Sequence, residues 1–498
     1  MYRTRKSGIL LHPSSFPGPG GIGAFGAEAY AFVDFLHHAG QTLWQILPLG
    51  PTAYGNSPYS CYSAFAGNPL LISLETLADD GDVGPGDLKI DLPSGRVDYG
   101  LVQPYKTALL RKAAGNFFAA ADRQRMEEFW HFCDTTFWLH DYALFMALKE
   151  HFPGKSWCDW PEDIALRRSE SMAAYSEKLG SAIGEQKYMQ WQFSRQWQRL
   201  KGYANSKGIE VIGDMPIFVA FDSTDVWANP HLFHLDEKGR PTVVAGVPPD
   251  YFSKTGQLWG NPLYNWQRIA DEDFSWWVAR VRNDLSLYDR VRIDHFRGFE
   301  AYWEVPAGEK TAMNGRWVPG PGEAIFNALK SQLGNVALIA EDLGVITPEV
   351  EALRDKFGFP GMKILQFAFG SGPANPYLPH NHVQNCVVYT GTHDNDTTAG
   401  WFATLKEKGK QDILAYLNIG ADNISWDFVR ATLASVAVLA VFPLQDVLGL
   451  GSDARMNIPG VAGGNWSWRL SSDMLNDAVA KRLKALTELY GRGPINLH

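Results

Sequence analysis

Eight short apolar runs punctuate the chain, each ending in Gly, Pro, Asp or His and most followed by a helical pattern. They are GILLHPS (8–14), TLWQILPLG (42–50), IEVIGDMPI (209–217), DRVRIDHFRG (289–298), VALIAEDLG (336–344), GMKILQF (361–367), CVVYTGTHD (386–394) and VLAVFPLQ (438–445). Their apolar character is continuous rather than alternating, as in strands buried on both faces. After the first run, Ala29, Phe32, Val33 and Leu36 recur at i, i+3, i+4 and i+7, with Gly40 placed to end a helix. Eight strands alternating with helices predict an α/β fold, a (β/α)8 barrel, with a doubly wound sheet as the alternative. Two intervals are too long for plain βα units. Residues 76–203 follow the second run and read as a mainly helical insertion rich in Trp, Phe and Tyr. Residues 218–268 mix Pro, Gly, Asp and aromatics with little periodicity, and predict a loop-rich insertion over one face. Both are read as insertions on one barrel spanning 1–498.

Composition narrows the class. The 498 residues are 45% hydrophobic, 20% charged and 13% aromatic, enough for a large core and too apolar for a disordered chain. The formal charge of −9, with no Lys/Arg stripe, argues against nucleic acid as a partner. Four scattered cysteines without a CxxC pair argue against a disulfide scaffold or zinc knuckle, and suit a cytoplasmic protein. No signal-type apolar stretch follows the basic N-terminus. The longest apolar stretch, from Ala431, is broken by Thr432, Ser435 and Pro443, short of the roughly 18 residues a membrane span needs. No membrane is expected as a partner.

Several familiar signals fail on context. Gly21, Gly23 and Gly26 spell GxGxxG, but a long Pro/Gly loop precedes them and no acid closes the next strand, so no dinucleotide is expected. Asp79-Asp80-Gly81-Asp82 lacks the ligand alternation of a calcium loop and reads as a solvated turn. His37 and His38 lack HExxH spacing, and no GxSxG elbow or Walker lysine loop is present. No cofactor and no metal are expected.

Acids at strand ends remain. Asp214 closes the third run, Asp294 the fourth, Glu341 and Asp342 the fifth, and Asp394 the seventh. Unpaired carboxylates make poor core filler, so four of them at one end of a barrel point to a site at its mouth, although Asp342 is also a candidate helix cap. Arg292 and Asp294 are two apart and share a strand face, with Ile293 turned to the helices. An arginine there predicts a depressed pKa at Asp294, suited to a nucleophile, and leaves Glu341 as acid/base with a raised pKa. Paired carboxylates in those roles cleave glycosides, and a plain internal Arg–Asp salt bridge is the less favoured reading of the spacing. Tyr54, Tyr59 and Tyr62 after the second run, with Tyr251, Phe252 and Trp259 in the long loop, offer flat rings for hexose faces.

These residues carry a resemblance. SPYSCYSAFAGNP, GDMPIFVA, GQLWGNPLYNW, VRIDHFRGF, IAEDLG, THDNDT and MNIPGVAGGNWSWR make the chain, over 8–469, similar to the 4-α-glucanotransferases of glycoside hydrolase family 77 in the α-amylase clan, also called amylomaltases or disproportionating enzymes. The resemblance implies Asp294 as nucleophile, Glu341 as general acid/base and Asp394 as the third carboxylate, holding the hydroxyls of the donor sugar. It places Arg292 and His393 beside the donor sugar and matches Asp214 to the first clan motif. Ser57, Tyr59, Asp250 and Trp259 fall at groove and lid positions, and Asn465 near the substrate. It further implies α-1,4-glucans as partners, a retaining double displacement, no calcium ligands, no C-terminal β-domain, no added starch-binding module and no long N-terminal extension. A monomer is expected. The same acids also serve hydrolysis; transfer requires a held acceptor and excluded water, for which Tyr59 and the 250–260 loop with Trp259 are the candidates.

Overall fold

The computed structural model describes residues 4–88, 92–249, 253–461 and 463–494. All eight apolar runs form strands, and all pair in parallel: β1 (Lys6–Leu10), β2 (Leu43–Gln45), β3 (Glu210–Met215), β4 (Arg290–Ile293), β5 (Leu338–Ala340), β6 (Gly361–Ile364), β7 (Cys386–Tyr389) and β8 (Leu439–Pro443). Their order is β6-β7-β8-β1-β2-β3-β4-β5. The two ends meet where the Ala340 amide donates to the Pro360 carbonyl at 2.9 Å, so the sheet curls nearly closed into a barrel rather than opening as a doubly wound sheet. The first connecting helix spans Ala27–His38, its Ala29, Phe32, Val33 and Leu36 fully buried. Gly40 takes φ +69°, a left-handed turn that a side chain would strain.

The insertion after β2 is helical, with its longest helices at Tyr99–Ala120 and Gly180–Ser206. Trp197 of the latter packs on Trp44 of β2, ring centres 6.2 Å apart, and joins the insertion to the barrel core. The acidic turn is only partly solvated: Asp79 and Gly81 are exposed, whereas Asp80 and Asp82 turn inward. Asp82 is 2% exposed and accepts from Arg125 at 2.6 and 2.7 Å and from the Tyr188 hydroxyl at 2.5 Å, while Asp80 pairs with Arg195. It therefore pins two insertion helices through buried charge pairs. Lys106 is similarly internal, 1% exposed, with its ammonium donating to the Leu70 and Ile72 carbonyls at 2.7 Å each. Lys106→Met should leave both carbonyls without that donor and lower stability by about 2 kcal/mol, read as a lower urea midpoint.

Residues 218–268 depart from the loop expectation. They contribute two strands, Val243–Val247 and Gln257–Pro262, to a four-stranded antiparallel sheet completed by Ala301–Pro306 and Arg316–Pro319. Asp342 is no helix cap: its carboxylate accepts from the Met362 amide at 2.6 Å and pairs with Arg354, tying the end of β5 to β6.

Candidate active site

β3 and β4 pair Asp214 with Arg292, and β4 and β5 pair Ile293 with Ala340. The first register stacks an acid against a guanidinium inside the barrel. The second puts Asp294 and Glu341 each one residue past a registered pair on neighbouring strands. Neighbouring strands lie about 4.8 Å apart, on the scale of the roughly 5–5.5 Å that separates the carboxyls of retaining glycosidases.

Arg292 links three of the predicted residues. Its Nη1 donates to both oxygens of Asp214 at 2.6 and 2.7 Å, and its Nη2 to Asp294 Oδ1 at 3.0 Å. The Tyr59 hydroxyl donates to Asp214 Oδ2 at 2.8 Å. The side chain of Asp214 is fully buried and that of Arg292 nearly so, whereas the Asp294 side chain is 32% exposed at the mouth. Only Asp294 of these three is open to a ligand. The surrounding acids hold Arg292 firmly protonated against its burial.

The expected depression of the Asp294 pKa does not occur. Burial raises it, and although Arg292 opposes this, the charges of Asp214 and Asp394 add to the rise. Glu341 behaves as expected: burial, then the charge of Asp294, push its carboxyl up to about 8, against the pull of Arg292 and of two amides. Those amides are His295 N–H at 2.6 Å and Leu343 N–H at 2.9 Å. Arg292 donates to Asp294 and not to Glu341, so the pair keeps its proton on Glu341. His295 has φ +53°, a left-handed turn directly after Asp294 that carries its amide to Glu341.

Asp394 lies five residues beyond the end of β7. Its Oδ1 accepts from Asn457 Nδ2 at 2.6 Å, and its Oδ2 is 3.4 Å from His393 Nε2. Arg455 donates to its backbone carbonyl at 2.6 Å. The side chain remains 48% exposed and open to a ligand. The His393 ring stacks on Tyr59, centres 5.1 Å apart and planes at 17°, and Trp466 stands 5.9 Å from each. An aromatic wall therefore flanks Asp394. On the Glu341 side, Trp259 of the strand Gln257–Pro262 stands edge-on to His295 at 4.8 Å.

Two predicted residues are used locally. Ser57 Oγ accepts from the Tyr59 amide at 3.2 Å and shapes that turn. Asn465 bonds the Ile458 amide at 3.0 Å and the Val461 carbonyl at 2.8 Å, closing the 458–465 loop. Asp250, Tyr251 and Phe252 lie outside the described residues. Asn457, Arg455, His295 and Trp466 were not singled out from the sequence, although all fall in or beside the motifs quoted for the resemblance. Among the described residues, no group of three or more His, Cys, Asp or Glu side chains is placed to hold a metal ion.

The family model described as 4-alpha-glucanotransferase matches residues 11–475. The 4-alpha-glucanotransferase of Synechocystis is 53% identical over 99% of both chains, and that of Thermus thermophilus 52% identical over 99% of this chain and 100% of its own. An amylomaltase from Streptococcus agalactiae, solved in complex with acarbose, superposes with a TM-score of 0.96 at 42% identity, covering 98% of this chain and 100% of its own. With the barrel and the carboxylates at its mouth, these likenesses settle the family: the chain belongs to the 4-alpha-glucanotransferases of glycoside hydrolase family 77, which transfer segments of glucan.

Proposed function

We propose that Asp294 attacks the anomeric carbon of an α-1,4-glucan while Glu341 gives its proton to the departing glycosidic oxygen. The segment is then held as an ester on Asp294. Glu341, now a carboxylate, takes the proton of the 4-hydroxyl of a second glucan, which displaces Asp294 and restores the α-linkage. The observation that carries this reading is the division of the pair: Asp294 faces the mouth against Arg292, and its neighbour Glu341 holds a proton up to about pH 8. The S. agalactiae amylomaltase, solved in complex with acarbose, supports an α-glucan as the ligand of this chain.

In this reading Asp394 holds hydroxyls of the donor sugar, and the Tyr59–His393 wall takes its face. Asp214 is a positioning residue, since it reaches the mouth only through Arg292 and Tyr59. Asn457 is a positioning residue for Asp394. Asn457→Ala should lower kcat/KM by about tenfold by freeing that carboxylate, and leave the urea midpoint within error of the parent. Steady-state kinetics on maltotriose with a parallel unfolding curve check both halves.

One barrel, 1–498, carries 76–203 and 218–268 as insertions, the second of which brings Trp259 to the Glu341 side of the mouth. A monomer in the cytoplasm suits the four free cysteines. No helix among the described residues is long and apolar enough to cross a membrane.

The deciding experiment is maltotriose alone, with products resolved by size. Glucose plus a ladder of longer maltodextrins, with total reducing ends constant, is the expected result. Glucose and maltose with rising reducing ends would make the chain a hydrolase on the same carboxylates and remove the held acceptor.

A further inference from the structure

The four-stranded sheet carries a second aromatic feature, away from Asp394. Trp303 and Trp317 are a registered cross-strand pair with ring centres 5.2 Å apart. The Trp303 indole N–H donates to the Ala312 carbonyl at 2.8 Å, which fixes that ring. The Arg297 guanidinium lies 3.8 Å from the centre of the Trp317 ring, and the same guanidinium donates to the Val345 carbonyl. Val345 belongs to the loop that starts at Glu341 and whose Leu343 amide holds the Glu341 carboxylate. Trp317 is thus tied by two contacts to the loop of the proposed acid/base.

Trp317 is 39% exposed, and Met313 and Val345 are 55% exposed. The bond Asn314–Glu309 at 3.3 Å lies on the hairpin between the two strands, whereas Glu304 and Arg316 pair on the opposite face of the sheet from Trp303 and Trp317. An exposed tryptophan linked to the loop of a proposed acid/base is a surface on which an extended binding site can be built. A flat indole braced from one side by a cation offers its uncovered surface to the apolar face of a hexose.

We infer that Trp317, braced by Arg297 and Trp303, is an outlying platform for a glucan chain that runs out of the mouth past the Glu341 loop. The inference rests on the glucan reading of the mouth. It commits to a glucan because Arg297 and Val345 tie the ring to the loop that begins at Glu341, the proposed acid/base.

The test uses Asp294→Asn to prevent turnover. Hydroxyl-radical footprinting, read by mass spectrometry, should show Trp317 protected by a short linear amylose and much less by maltotriose. Calorimetry should show that adding Trp317→Ala weakens amylose by about tenfold and weakens it more than maltotriose. Trp317→Phe, which keeps a ring, should retain most of the affinity. Trp130→Ala, a half-exposed tryptophan on the helical insertion, should bind both ligands as the parent does.

An unprotected Trp317, or equal losses for both ligands, overturns the inference. Protection that grows with protein concentration without glucan also overturns it, by assigning the patch to a second copy. The footprint needs no tryptophan variant, so a poorly folding Trp317→Ala does not spare the idea. If the parent enzyme fails to disproportionate maltotriose, the reading of the mouth falls first; if it succeeds and Trp317 is unprotected, only the platform falls.

Discussion

Glu341→Gln is expected to lower transfer from maltotriose by about a thousandfold, the usual reach of a positioned general acid, while α-maltosyl fluoride as donor restores the first half-reaction, read as a burst of released fluoride. Fluoride departs without a proton, so Asp294 can still attack and the ester still forms. Its release then lacks the base that would deprotonate the acceptor hydroxyl. The ester should accumulate, and mass spectrometry should find one maltosyl unit on the peptide that contains Asp294. Full activity in the variant, or an adduct elsewhere, would take the acid/base role from Glu341 or the nucleophile role from Asp294.

The pH profile gives the same assignment a second handle. The reactive form of the enzyme carries a protonated Glu341 and an ionised Asp294. Activity should therefore fall as pH rises through about 8, where Glu341 loses its proton. It should also fall in acid at a pH above the ordinary carboxylate range, because burial and two neighbouring acids raise Asp294. The two limbs belong to the pair as a unit, since each carboxyl feels the other. In Glu341→Gln with the fluoride donor, the basic limb should vanish. If it persists, another group sets it.

Much of this was legible from spacing. A barrel strand buried on both faces leaves a continuous apolar run, and the first polar residue past it faces the mouth, so Asp294 and Glu341 could be placed without coordinates. The Arg292–Asp294 interval gave their shared face by strand alternation alone. What spacing does not carry is burial. It gave Asp294 a cation as neighbour and hence a lowered pKa, but not the desolvation that outweighs the cation. The acidic turn misled for the same reason, since the arginines that neutralise Asp80 and Asp82 lie on helices far along the chain. Asn457 meets Asp394 across 63 residues of sequence, with no periodic trace of that contact. The strands at 243–247 and 257–262 are short and partly exposed on both faces, so neither a run nor an alternation marks them.

Asp214→Asn should cost both stability and rate. Asp214 and Arg292 form a buried pair, and removing one charge leaves the other without its main partner inside the barrel. Breaking such a pair costs about 3–5 kcal/mol; the 3.0 Å contact of Arg292 with Asp294 survives, which favours the lower end, about 3 kcal/mol. The urea midpoint should drop accordingly. Activity should fall by about a hundredfold, because Arg292 loses the anchor that fixes it and settles more closely on Asp294, moving the nucleophile and lowering its basicity. The acid limb of the pH profile separates this from mere loosening. The negative charge of Asp214 is one of the influences that raise Asp294, so its removal should let Asp294 ionise at lower pH and shift the acid limb downward. A variant that is less stable and slower with an unmoved acid limb would mean that Asp214 supports the barrel without tuning the nucleophile. A downward shift would show that a side chain with no exposed surface sets the charge state of the one that meets the substrate.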